Sequence, residues 1–320
     1  MLDNNDINIA YRRIKPFIHK TPILTNQSIN KLFSSELYFK CENFQKTGSF
    51  KIRGATNAVL QLKKNEFKRC IITASSGNHG AALAMAVSKR GGGTKVVMPK
   101  NTAKIKVNNV IRNGGDIIWC ESNQISRENT LKSLLLETKG VMIHPYNDLK
   151  IIAGQATIAK ELLLDLPNLD AIICPVSGGG LLSGISSYVK NINPDILVYG
   201  AEPIEADDTY RSIKVGKIQS NKKTNTVCDG LRAQVGTITF PIIQELVDEI
   251  LTVSEDSIIK HMRIIFERMK IIVEPSCSIA LAAVSKYKKL FKNKKVGIII
   301  SGGNIDLDQL PWNKLKYKTN

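Results

Sequence analysis

Apolar residues along this chain fall into two alternating rhythms. Short, near-continuous runs rich in β-branched residues occur at 37–41, 70–74, 95–98, 117–120, 141–144, 171–175, 197–201, 250–253 and 296–301. Longer stretches with helical spacing lie between them, at 52–63, 79–89, 103–113, 124–138, 154–165, 181–190, 255–269 and 276–290. The first rhythm predicts strands and the second helices. Their alternation predicts an α/β fold of parallel sheets covered by helices on both faces. The uninterrupted runs Ala171-Ile172-Ile173-Cys174 and Gly297-Ile298-Ile299-Ile300 fit strands buried on both sides. In such folds ligands bind beyond the carboxyl ends of the strands. That rule directs attention to three loops, at 74–80, 176–184 and 301–304.

Composition narrows the class. A chain of 320 residues, 43% hydrophobic, buries a large core in one domain or two closely packed ones. No apolar run approaches a membrane span, and the start Met1-Leu2-Asp3-Asn4-Asn5-Asp6 lacks the order of a signal peptide, so a cytoplasmic protein without membrane partners is expected. Cys41, Cys70, Cys120, Cys174, Cys228 and Cys277 form no CxxC pair and read as reduced core thiols. The histidines His19, His79, His144 and His261 lack the spacing of a zinc site. The net charge of +17 is spread along the chain, densest at 286–295. Without a nucleic-acid motif it reads as a solvated lysine surface rather than a nucleic-acid interface.

The loops carry the candidate chemistry. Ser177-Gly178-Gly179-Gly180 precedes a helix. Its glycines let backbone N–H groups approach an anion, and the helix end adds a favourable dipole. The spacing matches neither the dinucleotide fingerprint nor the P-loop, so it points to a phosphate without a nucleotide, or else to a plain turn. Ser75-Ser76-Gly77-Asn78-His79-Gly80 offers a carboxylate cradle, or an ordinary helix cap. Ser301-Gly302-Gly303-Asn304 lets a flat ligand lie against the backbone with a hydroxyl beside it, or is a generic turn. Lys51 opens a helix in Gly48-Ser49-Phe50-Lys51-Ile52-Arg53-Gly54-Ala55. The positive helix end lowers the pKa of an amine there, and such an amine is a competent nucleophile toward an aldehyde. A solvated surface lysine is the commoner alternative.

Taken in order, these four motifs resemble the fold type II pyridoxal 5′-phosphate (PLP) enzymes, the tryptophan synthase β-like superfamily. Within it the chain is similar to the family of serine racemases and serine/threonine dehydratases, from Thr21-Pro22 to Asp306. The resemblance implies two open, parallel-rich, twisted sheets flanked by helices. It implies a large PLP-binding domain of residues 1–69 and 148–320 and a small mobile domain of 70–147. Lys51 would carry PLP, with Phe50 flanking the ring and Asn78 at the 3′-oxygen. Ser177, Gly178, Gly179, Gly180 and Leu181 would hold the phosphate, and Ser301 would face the pyridine nitrogen. Ser75, Asn78 and His79 would grip the substrate carboxylate, and Arg127 would join the substrate side as the small domain closes.

The same resemblance separates two activities. Racemisation needs a proton donor on the face opposite Lys51. Ser76 stands where the resembled racemases have serine and many bacterial threonine dehydratases have alanine. It implies interconversion of L- and D-serine, with β-elimination to pyruvate and ammonia beside it. Serine or threonine dehydration without racemisation is the alternative. The loop 201–208 resembles the racemases' divalent-cation site, with Glu202 and Asp208 as carboxylate ligands and Ala206 offering its carbonyl to Mg²⁺, Ca²⁺ or Mn²⁺. Lys46 and Thr47 match an ATP-contact segment and imply ATP as an allosteric activator, although Ala81 replaces the glutamine of that site. Two further positions depart from the family: Ser177 replaces glycine, and Ala233 replaces serine in Asp229-Gly230-Leu231-Arg232-Ala233, which the resemblance implies is a substrate-side loop. The family also implies a homodimer acting on a small amino acid.

Overall fold

Two parallel-rich sheets organise the chain in a computed structural model that describes residues 2–221 and 223–312. The strands are β1 (Ile23–Thr25), β2 (Glu36–Cys41), β3 (Ile71–Ala74), β4 (Thr94–Pro99), β5 (Gly115–Cys120), β6 (Val141–Met142), β7 (Ala171–Pro175), β8 (Leu197–Pro203), β9 (Glu249–Val253) and β10 (Lys295–Ile300). One sheet runs β1-β2-β10-β7-β8-β9, parallel throughout except for the β1–β2 pair, and the other runs β5-β4-β3-β6, all parallel. The predicted strands are all present, and the α/β class with parallel sheets is the observed one.

Sheet order explains why distant motifs meet. β2, β10 and β7 are neighbours in the larger sheet. Their carboxyl ends therefore release residues 42–50, 301–304 and 176–179 side by side, and an isolated bridge pairs Ser49 with Gly302. The long crossover between β2 and β7 carries all four strands of the smaller sheet, and β3 delivers the 75–80 loop.

Helix packing sets the position of Lys51. It begins the helix Lys51–Leu60, which crosses the helix Leu149–Asp165 at a pair of glycines. A Cβ on Gly154 would lie 2.5 Å from the Gly54 Cα, so the close approach excludes any larger residue. Beneath the crossing, Arg53 is fully buried and bonded to two carboxylates. Its Nε and Nη2 donate to Glu42 (2.7 and 2.8 Å), and its Nη1 and Nη2 donate to Glu161 (2.9 and 2.7 Å). Lys40 donates to Glu161 as well (2.7 Å). Two cations and two anions thus balance in the interior. Burial alone would raise the Glu161 carboxyl, but Arg53 and Lys40 hold it below its ordinary value. The network therefore anchors the start of the Lys51 helix, because removing one partner would strand a buried charge.

Several boundaries differ from the predicted ones, three of them at informative places. β6 stops at Met142, because the His144 ring accepts the backbone N–H groups of Tyr146 (3.3 Å) and Asn147 (2.9 Å) and turns the chain. The helix predicted at 154–165 begins at Leu149, capped by the Asp148 side chain accepting from the Lys150 N–H (2.7 Å). The stretch at 276–290 divides at Tyr287 into Pro275–Lys286 and Lys288–Phe291. All six cysteines are free. No helix among the described residues is long and apolar enough to cross a membrane.

Candidate active site

Lys51 sits at the junction of the two sheets. Its Nζ donates to the Pro145 carbonyl (3.0 Å) and lies 5.1 Å from the centre of the Phe50 ring. Burial lowers its pKa to about 8, and the Glu274 carboxylate opposes the shift. Desolvation is thus the leading cause, where the sequence pointed to the helix end. The amine is an accessible base at mildly alkaline pH and a nucleophile when neutral.

The 75–80 loop surrounds it with neutral donors. Ser75 Oγ accepts the N–H groups of Gly77 (3.2 Å) and Gly80 (3.1 Å), so this hydroxyl caps the helix Asn78–Ser88 from within the loop. Ser76 is exposed and makes no hydrogen bond among the described residues. Asn78 is gripped on both sides: its Nδ2 donates to Glu274 (2.7 Å) and its Oδ1 accepts from Asn304 Nδ2 (2.9 Å). His79 is buried, and burial followed by the Lys51 charge lowers its pKa to about 3. It is therefore neutral, and with its Nε2–H facing the Ile143 carbonyl (3.4 Å) its unpartnered Nδ1 is an acceptor.

The glycine loop leads from β7 directly into a helix start. Gly179 adopts a left-handed φ of 91° as cap of the helix Gly180–Ile192. A Cβ on Gly178 would lie 2.5 Å from Tyr146 Cδ1, so that aromatic ring covers the loop. The Gly178 carbonyl accepts from the Thr239 hydroxyl (2.7 Å). Leu181 is buried in the core beside the helix. Ser177 is different, because its hydroxyl turns away to Ala233, donating to the carbonyl (2.9 Å) and accepting the N–H (3.0 Å). Ser301 is buried at the end of β10, and its carbonyl accepts the Phe50 N–H (3.0 Å).

The site has members that the sequence did not single out. Lys106, buried on the helix Lys104–Arg112, reaches Asp229 (2.5 Å) and Glu274 (3.3 Å). Burial would lower this amine, but the two carboxylates reverse the effect and keep it charged. Glu274 presses against Gly302. Its signal was an acid inside the apolar run Ile271-Ile272-Val273-Glu274-Pro275, just before a proline that starts a helix.

The donor set fits PLP. Ser49 Oγ, two residues from Lys51, and His79 Nδ1, whose ring feels the Lys51 charge, are buried polar atoms without a hydrogen-bond partner. Buried polar groups are rarely left so, and a polar ligand at Lys51 would satisfy them. Phosphate fits the N–H groups of residues 177–181 at a helix start.

The remaining predicted residues lie apart. Arg127, on the helix Gln124–Thr138, donates to Gln124, and its charge is felt at His144 and Tyr146. Lys46 and Thr47 form a tight turn with Gly48, with the Thr47 carbonyl accepting from Asn109 (3.1 Å) and Asn304 (2.8 Å).

Glu202 and Asp208 are both buried near the carboxyl end of β8. Glu202 accepts the N–H groups of Thr209 (3.1 Å) and Tyr210 (2.9 Å), and Asp208 accepts from Asn221 (2.7 Å) and Val235 (2.8 Å). Burial and then the Asp208 charge raise Glu202 well above the carboxylate range, and burial raises Asp208 to about 6. Neither has a salt-bridge partner among the described residues. No cluster of three His, Cys, Asp or Glu side chains occurs among the described residues, so a hard cation at these two acids would draw its further ligands from backbone carbonyls such as that of Ala206.

Comparison with known proteins bears on the whole of this arrangement. Residues 14–302 match a family model described as pyridoxal-phosphate dependent enzyme. The serine racemase of Dictyostelium discoideum is 49% identical over 309 residues, 95% of each chain. The β-hydroxyaspartate dehydratase of Paracoccus denitrificans is 44% identical over 96% of this chain and 98% of its own. The structure of maize serine racemase superposes with a TM-score of 0.94 at 43% identity, covering 98% of this chain and 97% of that one.

Proposed function

This chain belongs to the pyridoxal-phosphate dependent enzymes, and from that premise we propose that it is a serine racemase interconverting L- and D-serine, with elimination of serine to pyruvate and ammonia as a second outcome. The observation that carries the reading is Lys51, an amine at a helix start whose pKa burial lowers to about 8. Near-full-length similarity to serine racemases supports it.

Bound PLP supplies an electron sink for the pair left when the substrate Cα–H bond breaks. The chain's own residues do the rest. Lys51 takes the α-proton on one face, and Ser76 returns a proton on the other. Residues 177–181 hold the phosphate through backbone N–H groups, with Tyr146 covering the loop. Asn78, fixed by Glu274 and Asn304, would meet the 3′-oxygen, Phe50 would flank the ring and Ser301 would face the ring nitrogen. The N–H groups at the start of the helix Asn78–Ser88 receive the substrate carboxylate, with Ser75 holding that turn in shape and neutral His79 packed behind it against the Ile143 carbonyl. Residues 70–147 form a mobile layer that closes over the substrate with Arg127 and excludes water. The Lys106–Asp229 pair spans that closure. Elimination follows from the same proton removal whenever the β-hydroxyl departs before reprotonation.

Finer features complete the proposal. Glu202, Asp208 and the Ala206 carbonyl take Mg²⁺ or a like cation; Lys46 and Thr47 take part in an ATP response; the enzyme works as a cytoplasmic homodimer. The deciding experiment incubates purified protein with L-serine and PLP. Chiral chromatography should detect D-serine, and a coupled assay should detect pyruvate. Pyruvate without D-serine would replace the racemase with a dehydratase, and neither product would overturn the reading.

A further inference from the structure

We propose that the Ser177 hydroxyl is a positioning device that transmits occupancy of the glycine cradle to the substrate-side loop 229–233. The inference rests on the reading that the cradle takes the phosphate of PLP. The hydroxyl engages one residue twice, donating to the Ala233 carbonyl at 2.9 Å and accepting the Ala233 N–H at 3.0 Å across 56 positions of sequence. Such a two-point clamp fixes the orientation of the 233 peptide as well as its distance. Ser177 therefore stands at the start of the glycine loop with its side chain turned to the 233 peptide.

The loop it holds reaches the other sheet. Asp229 pairs with Lys106 at 2.5 Å on the helix Lys104–Arg112, and Lys106 also meets Glu274, which holds Asn78. The Gly230 N–H donates to Ser276 at 3.1 Å, and Arg232 Nη2 donates to the Thr226 carbonyl at 2.7 Å. The cradle has a separate tie, from the Thr239 hydroxyl to the Gly178 carbonyl at 2.7 Å. Removing the Ser177 hydroxyl thus frees the 233 end of the loop while leaving the Thr239 tie to the glycine loop in place. A glycine at 177 offers no such link, so the connection is a property of the serine in this chain.

The test uses the full-length protein with and without PLP. An absorbance titration first measures PLP uptake, and hydrogen exchange then reads the amides of 229–233. In the wild type, PLP should slow exchange there about tenfold. In Ser177→Ala, PLP should still bind, but the slowing should shrink to about twofold or less, and KM for L-serine should rise about fivefold to tenfold, more than kcat falls, as expected for one or two neutral hydrogen bonds. Ser177→Thr keeps the hydroxyl and should restore both readouts. Wild-type slowing in Ser177→Ala overturns the proposal, as does loss of PLP binding in that variant with loop exchange unchanged. If Ser177→Ala loosens the whole core, Ser177→Thr decides, and its failure to restore the slowing overturns the proposal too. A wild-type protein that takes up no PLP defeats the cofactor reading itself, and the titration reveals this before exchange is measured.

Discussion

At Lys51, burial sets a reactivity that no other lysine in the site shares. Lys106 is also buried, but two carboxylates keep its proton on, whereas Lys51 has only the opposing influence of Glu274 and settles near 8. A lowered lysine pKa means that the unfolded chain binds more protons between about 8 and 10.5. Lys51 therefore adds to the stability of the PLP-free protein as pH rises through that window, and its charge is a cost below it. The kinetic consequence is more direct. The rate at which PLP-free protein captures PLP, followed by stopped-flow absorbance, should climb with pH and level off just above about 8. A rate that keeps climbing to the ordinary lysine range would contradict the assignment. Ser76 carries the complementary prediction. Ser76→Ala should lower D-serine formation from L-serine by about 100-fold or more, the scale of one acid/base group, while pyruvate formation changes little. Persistent racemisation, measured by chiral chromatography, would remove Ser76 from its role.

At the scale of elements, the Gly54–Gly154 crossing decides where Lys51 lies. Gly154→Ala should cost about 1–3 kcal/mol in urea unfolding, because a Cβ 2.5 Å from the Gly54 Cα forces two helices apart. Gly93→Ala is the control: nothing lies within 4 Å of its Cβ, and the change should stay within about 0.5 kcal/mol. Equal costs would show that the crossing is not tight. Elements with their own local signals were legible. The helices at Gln124–Thr138 and Glu255–Met269 match their predicted ends, the first capped by Asn123 accepting from the Ser126 N–H (2.8 Å). Elements that rely on neighbours were not. β1 is three residues long and exists by pairing with β2, and the Asp148 cap that starts a helix five residues early was a readable signal passed over. The end of β6 depends on a histidine ring folded back onto its own turn, which no periodicity reports.

Across the whole molecule, charge is distributed unevenly between surface and interior. The sequence carries +17, and inside the fold Arg53 and Lys40 balance Glu42 and Glu161. Glu202 and Asp208 lack such a balance, and burial raises both. A cation bound only by the folded state stabilises it by about 2.7 kcal/mol at a hundredfold excess over its Kd. Chelator treatment should therefore lower Tm by several degrees, and Mg²⁺ should restore it. Asp208→Asn should abolish the response. A Tm indifferent to chelator and Mg²⁺ would leave these acids without a metal role.

The sequence by itself determined the class of fold, the order of strands and helices, and the four motifs of the site. Those features arise from local spacing, since period, glycine position and helix starts are properties of neighbours along the chain. Only tertiary structure decided which groups are free to react. Sheet order set β2, β10 and β7 side by side and so gathered their loops. Contacts between distant segments then turned Ser177 to Ala233, drew Glu274 and Lys106 into the site, and left Lys51 buried without a close carboxylate. Burial and charge proximity are three-dimensional quantities, and they set the chemistry of a side chain whose identity alone was visible beforehand.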